Sequence, residues 1–178
     1  MTKHIHNQIE PTYSHIEDGV ANIYIPIDLR PWQLDVLSSK ARFIMALVHR
    51  RGGKSVAFIL KLVLGWLTLK KKNPKFFYMA PLLKQAEEAA WMYVKSFCKN
   101  IPGVIISESE LSVTVDLGDG YGDRVLKLVG VSDAGESKRG AYADGVVIDE
   151  MGHVKRGVWE NVVRILLMDR KGWAVLTG

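Results

Sequence analysis

The sequence predicts an α/β fold in which a mainly parallel central sheet is flanked by helices. Strand-like apolar runs alternate with amphipathic helix-like runs along most of the chain. A Gly-Lys-Ser turn joins the first of these apolar runs to a helix-like run. Alternating apolar and polar residues around a glycine-rich turn in residues 110–131 predict a hairpin, which would form an antiparallel edge of the sheet.

Size and composition point to one ordinary globular domain. The chain has 178 residues, 48% hydrophobic and 24% charged, and it contains no apolar run of the roughly 18 residues that predict a transmembrane helix. Its start lacks the apolar core of a signal peptide. The single cysteine, Cys98, excludes an internal disulfide, fits a reducing compartment and is expected to pack in a helix. A net charge of +5 is compatible with a polyanionic partner without establishing one.

Hydrophobic period and turn residues predict the order of the elements. Residues 1–28 are polar without a clear period and are interpreted as a lead-in segment. The predicted elements that follow are a helix at 29–39, a buried strand at 43–48, a helix at 55–69, a strand at 76–80, a helix at 82–98, a strand at 104–106, the hairpin at 110–131, a strand ending before Asp149, a helix at 158–168 and a strand at 173–176.

The most informative segment is residues 48–55, VHRRGGKS, which lies between a strand-like run and a helix-like run. A strand, tight loop and helix start can bind phosphate, because the backbone N–H groups and the positive helix end face the anion. Gly52 and Gly53 would line this loop. Lys54 would reach the β- and γ-phosphates, and the Ser55 hydroxyl would hold Mg²⁺. The segment begins with a valine where the usual phosphate-loop pattern has glycine.

A second segment, residues 145–150, reads GVVIDE and predicts a strand buried on both faces, as in a parallel sheet. Its two carboxylates stand at the carboxyl end, where α/β sheets bind ligands. Asp149 would support Mg²⁺ directly or through water, and Glu150 would polarise an attacking water. We expect the Lys54 loop and this acid pair to meet in one pocket. A strand followed by an acidic helix cap is the alternative for this segment alone.

Several further segments carry a resemblance to a known family. With the phosphate loop and the acidic strand, the matching segments are residues 30–33 (RPWQ), 78–81 (YMAP), 137–140 (SKRG) and 176–178 (LTG). In this ordered set the chain resembles the ATPase domain of large terminase subunits, the DNA-packaging motors of tailed bacteriophages. The resemblance covers roughly residues 29–178 and implies a P-loop NTPase fold of the ASCE, or RecA-like, type.

The resemblance also implies roles for residues outside the two segments. Gln33 would pair with the adenine edge, since an amide offers one donor and one acceptor. Arg50 would act within its own subunit, although a shift to Arg51 stays open, and Arg139 would reach ATP in a neighbouring subunit. Thr177 would sense the γ-phosphate. The alternatives are a surface glutamine, solvated loop arginines and an ordinary strand threonine.

These features imply ATP and Mg²⁺ as cofactors and an ATP-hydrolysing motor that moves double-stranded DNA into a procapsid, without sequence preference. The resemblance further implies a ring of subunits on a portal protein, a small terminase subunit as partner, no membrane, and action in the host cytoplasm. Large terminases usually continue into a nuclease domain; no nuclease activity is expected of these residues, which are interpreted as part of a longer chain. A helicase-like translocase and a nucleotide-binding module without efficient turnover are the alternatives.

Overall fold

The structure is a computed structural model that describes residues 13–17, 20–49, 51–131 and 142–178, with side chains from residue 22 onward. Its centre is a seven-stranded sheet in the order β3-β9-β8-β4-β7-β6-β5. The strands of this sheet are β3 (Phe43–Ala46), β4 (Lys75–Ala80), β5 (Ile105–Ser107), β6 (Ser112–Val115), β7 (Arg124–Gly130), β8 (Gly145–Ile148) and β9 (Trp173–Thr177). The five strands from β3 to β7 in this order pair in parallel, whereas β6 and β5 continue the sheet antiparallel. The predicted fold class is confirmed.

The described helices connect these strands across both faces of the sheet. They are α1 (Pro31–Ser38), α2 (Lys54–Thr68), and a continuous helical stretch made of α3 (Leu83–Ala86), a π-helical segment (Glu87–Trp91) and α4 (Met92–Cys98). A shorter helical stretch combines a π-helical segment (Trp159–Val163) with one α-helical turn (Arg164–Leu166). Within the described residues, no helix is long and apolar enough to span a bilayer.

The core has two layers, one on each face of the sheet. Alternate residues of β4 divide between them: Phe76 and Tyr78 face α2, whereas Phe77 and Met79 face the helical stretch near the chain's end. This division follows from the two-residue period of a strand. Helix α2 is buried along most of its length, and Cys98 is fully buried as predicted. Burial raises the pKa of the Cys98 thiol to about 12, so this residue is a packed apolar group at neutral pH.

Two edge assignments differ from the sequence interpretation. The strand predicted as buried at residues 43–48 is β3, which lies at one end of the sheet and pairs only with β9. Phe43 is therefore exposed, and Met45 is 67% exposed. In the predicted hairpin, β7 is an interior strand that pairs in parallel with β4, and the antiparallel edge is formed by β5 beyond β6. Local pattern could not distinguish these cases, because strand order depends on contacts between distant segments.

The N-terminal lead-in contains a hairpin that the sequence did not suggest. Strands β1 (Tyr13–Glu17) and β2 (Val20–Tyr24) form a separate two-stranded antiparallel sheet. After it, the apolar residues Ile25, Ile27 and Leu29 pack against the core cluster on the α2 face. The lead-in is thus joined to the domain through apolar contacts before α1 begins.

Candidate nucleotide-binding site

The loop between β3 and α2 has the tight conformation that its glycines predict. The Gly52 N–H donates to the carbonyl of His49, and a Cβ at Gly52 would lie only 2.5 Å from a methyl of Val48. Gly53 has φ +85°, in the left-handed region that favours glycine, and caps the start of α2. Val48 replaces the usual first glycine, and its side chain lies against Gly52, where only a residue without a Cβ leaves room for it.

Helix α1 is fastened to this loop by two side chains. The guanidinium of Arg30 donates to the Gly52 carbonyl at 2.8 Å, and Gln33 Nε2 donates to the Gly53 carbonyl at 2.9 Å. Gln33 Oε1 accepts the backbone N–H of Arg30 at 2.7 Å, which closes the first turn of α1. Gln33 is only 4% exposed. Both ends of its amide therefore bind the protein, while its second N–H leaves one donor available.

The Lys54 loop and the acid pair meet, as expected from the sequence. Lys54 Nζ lies 3.2 Å from Asp149 Oδ1 and 3.2 Å from Glu150 Oε1. Burial works to lower the pKa of Lys54, but attraction and hydrogen bonds to the two carboxylates outweigh it and raise the pKa. The ammonium therefore stays charged, and it neutralises part of the charge that two adjacent carboxylates bring to the end of β8.

Glu150 occupies a strained position at the end of the acidic strand. Its backbone has φ +53°, which is uncommon for a residue with a side chain and often marks a functional site. The carboxylate contacts Lys54 and lies 3.4 Å from Nδ1 of His153 on the following turn. Because about half of the side chain is exposed, Glu150 can contact water, unlike the buried Asp149.

Asp149 is held by three groups. Its Oδ1 accepts the Glu150 N–H at 3.0 Å and contacts Lys54, while its Oδ2 accepts the hydroxyl of Tyr78 at 2.6 Å. Ser55, at the start of α2, acts on the same phenol and works to lower its pKa. Burial, followed by the charge of Asp149, raises the pKa of Tyr78, so its phenol keeps the proton it donates.

Thr177 lies at the end of β9, the strand between β3 and β8. Its register partner is Ala46, the last residue of β3 before the phosphate loop, so the threonine stands at the same edge of the sheet as Lys54. The side chain is 1% exposed, and among the described residues its hydroxyl has no hydrogen-bond partner. A buried hydroxyl without a partner is costly, which makes it a candidate contact for a bound group.

The chemistry of the site fits Mg²⁺. Ser55 follows Lys54 at the start of α2, and Lys54 contacts the Asp149 carboxylate, so a hydroxyl and a carboxylate, two hard oxygen donors, lie on the two segments that meet here. The described residues contain no cluster of three His, Cys, Asp or Glu side chains able to hold a metal. A hydroxyl with one carboxylate suits Mg²⁺, which usually takes one or two protein oxygens and completes its octahedral coordination with phosphate oxygens and water.

No family model and no curated protein matches the sequence. Among solved structures, the large terminase ATPase domain of Thermus phage P74-26 superposes with a TM-score of 0.67 at 22% identity, over 85% of this chain and 64% of that one. The chain has the fold of large terminase ATPase domains. The large terminase of another thermophilic bacteriophage, in complex with ADP, gives a TM-score of 0.65 at 15% identity, covering 84% and 38% of the two chains. The HK97 bacteriophage large terminase superposes with a TM-score of 0.60 at 17% identity, over 86% of this chain and 33% of that one.

The chain therefore spans less than two thirds of the length of these terminase structures. Within the terminase ATPase fold, the described residues bring together Lys54, Ser55, Asp149 and Glu150 at one edge of the sheet. The two arginines expected to act on phosphate, Arg50 and Arg139, lie outside the described residues. Arg51 is exposed, with φ +62°.

Sequence reasoning missed three residues that the terminase ATPase fold places at the site. Arg30 and Tyr78 belong to segments that carried the resemblance, but neither was given a role, and His153 was not singled out. A polar-tipped residue within an otherwise apolar strand was the available signal for Tyr78, since a buried hydroxyl requires a partner. Contacts of Arg30 and His153 depend on tertiary geometry that their local sequence does not encode.

Proposed function

We propose that this chain is the ATP-hydrolysing motor domain of a viral terminase that drives double-stranded DNA into a procapsid. The observation that carries the proposal is the contact of Lys54 with both Asp149 and Glu150 at 3.2 Å, on the fold of large terminase ATPase domains. One of the similar terminases, that of the second thermophilic phage, was crystallised with ADP and with ATP-γ-S. We infer that the same edge of the sheet binds ATP here.

In this proposal the chain binds the triphosphate with its loop backbone and Lys54. The N–H groups at the start of α2 and the helix dipole favour the anion. Lys54 leaves the acid pair for the β- and γ-phosphates, which removes one cation from the carboxylates. Ser55 and Asp149 would hold Mg²⁺, which would offset the negative charge of the phosphate oxygens. The Thr177 hydroxyl, which has no hydrogen-bond partner among the described residues, is available to donate to the γ-phosphate.

Glu150 is proposed as the residue that orients the attacking water. It is the more exposed of the two acids, and its backbone turns away from the strand direction of Asp149. Its contacts with Lys54 and His153 hold the carboxylate at the site's edge until the nucleotide enters. As Lys54 turns to phosphate, Glu150 gains a free oxygen to accept a proton from water.

The arginines complete the proposal. A cation placed at the γ-phosphate stabilises the charge that builds on its oxygens during transfer. We propose Arg50 for this role within the subunit and Arg139 from a neighbouring subunit, in a ring assembled on a portal protein. A small terminase subunit and host cytoplasm belong to the same proposal. DNA contact would be to the backbone, sequence-independent and strongly weakened by salt.

Steady-state ATP hydrolysis tests the motor proposal. We expect Mg²⁺-dependent turnover by the wild-type chain, loss of turnover with retained nucleotide binding in Glu150→Gln, and loss of tight binding in Lys54→Ala. Loss of a positioning base costs about 100- to 10,000-fold in rate. Glu87→Gln is the matched control, because it makes the same chemical change at an exposed glutamate on a neighbouring helix. Wild-type turnover no faster than that of Glu150→Gln would favour a nucleotide-binding module.

The inter-subunit role of Arg139 has its own test. Arg139→Ala supplies an intact site without the arginine, whereas Glu150→Gln supplies the arginine without turnover. Mixing the two should restore hydrolysis at concentrations where subunits associate, and dilution should remove it. A mixture with no more activity than the sum of its parts, under conditions where association is measured directly, would count against action in trans.

A further inference from the structure

Tyr78 occupies the point where the phosphate loop and the acidic strand meet. It lies in the middle of β4 with its side chain fully buried, and it pairs in register with Val147 of β8. Tyr78 and Val147 face α2. Asp149 is two residues beyond Val147 and so projects to the same face. The ring therefore extends along the inner face of the sheet toward the first turn of α2, which contains Ser55.

The hydrogen bonds of the phenol can be assigned from chemistry. A tyrosine hydroxyl has one proton to donate and can also accept. The Asp149 carboxylate only accepts, so the 2.6 Å bond to Oδ2 uses the proton of Tyr78. Ser55, at the start of α2, acts on the same phenol and works to lower its pKa. The directed bond from Tyr78 to Asp149 joins the interior strand β4 to the end of the acidic strand.

The bond from Tyr78 fixes a carboxylate oxygen that the local backbone does not reach. The other oxygen of Asp149, Oδ1, is occupied by Lys54 and by the Glu150 N–H. Lys54 must leave for phosphate when a nucleotide binds, whereas Tyr78 is fixed in the sheet and can stay. The bond to Oδ2 from Tyr78 and the bond to Oδ1 from the Glu150 N–H are therefore the contacts that keep the carboxylate plane oriented after the lysine has moved.

We propose that Tyr78 is a positioning residue that aligns the Asp149 carboxylate for the magnesium of a bound nucleotide. The inference rests on the proposed function and adds a residue to it. Partners that orient metal ligands typically contribute about 10- to 100-fold in metal affinity or activity. A bulky aromatic that only filled the core could be replaced by phenylalanine without changing how the site responds to metal.

Tyr78→Phe tests this distinction, because it removes one oxygen and keeps the ring. The matched control is Tyr142→Phe, whose hydroxyl donates a single 2.8 Å bond to the Asn73 carbonyl near the opposite ends of the strands. For each protein, a fluorescent ADP analogue is first titrated in EDTA. Mg²⁺ is then titrated at saturating analogue, and the fluorescence change is recorded. ATP turnover is measured over the same range of Mg²⁺.

We expect Tyr78→Phe to bind the analogue in EDTA as wild type does, and to need roughly 10- to 100-fold more Mg²⁺ for half-maximal response and turnover. Tyr142→Phe should match wild type in both. Equal Mg²⁺ dependence in all three proteins overturns the positioning role and leaves the proposed ATPase intact. A wild-type chain that neither binds nor hydrolyses nucleotide overturns the proposed function, and this inference with it.

A measurement on wild type covers the case in which Tyr78→Phe does not fold. The buried phenol proton, hydrogen-bonded to a carboxylate, should exchange slowly and give a downfield NMR resonance correlated with labelled tyrosine ring carbons. With ADP alone the resonance should stay protected. Subsequent Mg²⁺ should shift it, because the Asp149 carboxylate then shares its negative charge with the metal ion. A protected resonance that ignores Mg²⁺ at saturating ADP, or the lack of any protected tyrosine hydroxyl, contradicts the proposal.

Discussion

Gln33 Nε2 and the carbonyl of Gly53 are joined by a 2.9 Å hydrogen bond that ties helix α1 to the phosphate loop. The same amide accepts the Arg30 N–H through its oxygen. A residue predicted to read adenine is thus also a support for the loop. The two roles are compatible, because the second N–H of the amide is free for a base edge.

Gln33→Ala should therefore affect both stability and nucleotide choice. Removing one partner from buried hydrogen bonds costs about 1–3 kcal/mol, and the Gly53 carbonyl and the Arg30 N–H each lose theirs. We expect a lower free energy of unfolding, weaker ATP binding and a reduced preference for ATP over GTP, measured by denaturation and competition binding. Gln85→Ala is a control for stability alone, since Gln85 accepts the Leu82 N–H at 3.2 Å at the start of α3 but lines the same cavity as Asp149 and Glu150. An unchanged ratio of ATP affinity to GTP affinity would show that Gln33 supports the loop but does not recognise the base.

Gly53→Ala should be more disruptive than an alanine at another left-handed glycine. A Cβ there would meet Gln33 Nε2 at 2.9 Å in addition to the strain of φ +85°. Gly120 has φ +81° with nothing within 4 Å of its Cβ position, so Gly120→Ala carries the strain alone. We expect each to lose about 1 kcal/mol or more of stability, with a further loss and weaker ATP binding only in Gly53→Ala. Equal effects in the two variants would argue that the Gln33 contact is unimportant.

Thr177→Val should raise the stability of the nucleotide-free protein and lower its ATP turnover. The buried hydroxyl has no partner among the described residues, so an isosteric methyl removes a desolvated polar atom. We expect the nucleotide-free variant to gain about 1 kcal/mol in denaturant unfolding and to lose ATP turnover if the hydroxyl serves the γ-phosphate. Thr114→Val, in β6 away from the site, should change neither quantity appreciably. A stability gain with full turnover would remove Thr177 from the site.

The ion pair of Lys54 predicts a pH dependence with a definite sign. Its pKa in the folded protein is raised above the ordinary lysine value of 10.5, so the folded state holds this proton more tightly than the unfolded state. The stabilisation is present below about pH 10.5 and is lost as pH rises through the raised folded pKa. Comparing wild type with Lys54→Met by denaturation, we expect the difference in unfolding free energy to shrink as the pH rises above the ordinary lysine pKa of 10.5 and through the raised folded pKa. A difference that grows with pH would contradict the direction of the shift.

The elements of this domain were largely predictable because their signals are local. Hydrophobic period placed α2 and β8 within a residue or two, and the turn chemistry of Gly52 and Gly53 marked the loop between strand and helix. The hairpin of β1 and β2 was missed, since its residues lack an apolar alternation. The position of β3 at the sheet edge was also missed, because a short apolar run looks alike in the centre and at the edge of a sheet.

By itself, the sequence determined the order of strands and helices, the glycine loop before Ser55 and the acid pair after β8, since each depends on residues within a few positions of one another. Only the tertiary structure decided which strands are neighbours, how Lys54 meets Asp149, and that Tyr78 and Gln33 connect the loop to the sheet and to α1. Those contacts join residues far apart in the chain. Their geometry is set by sheet register and helix packing, which no local pattern encodes.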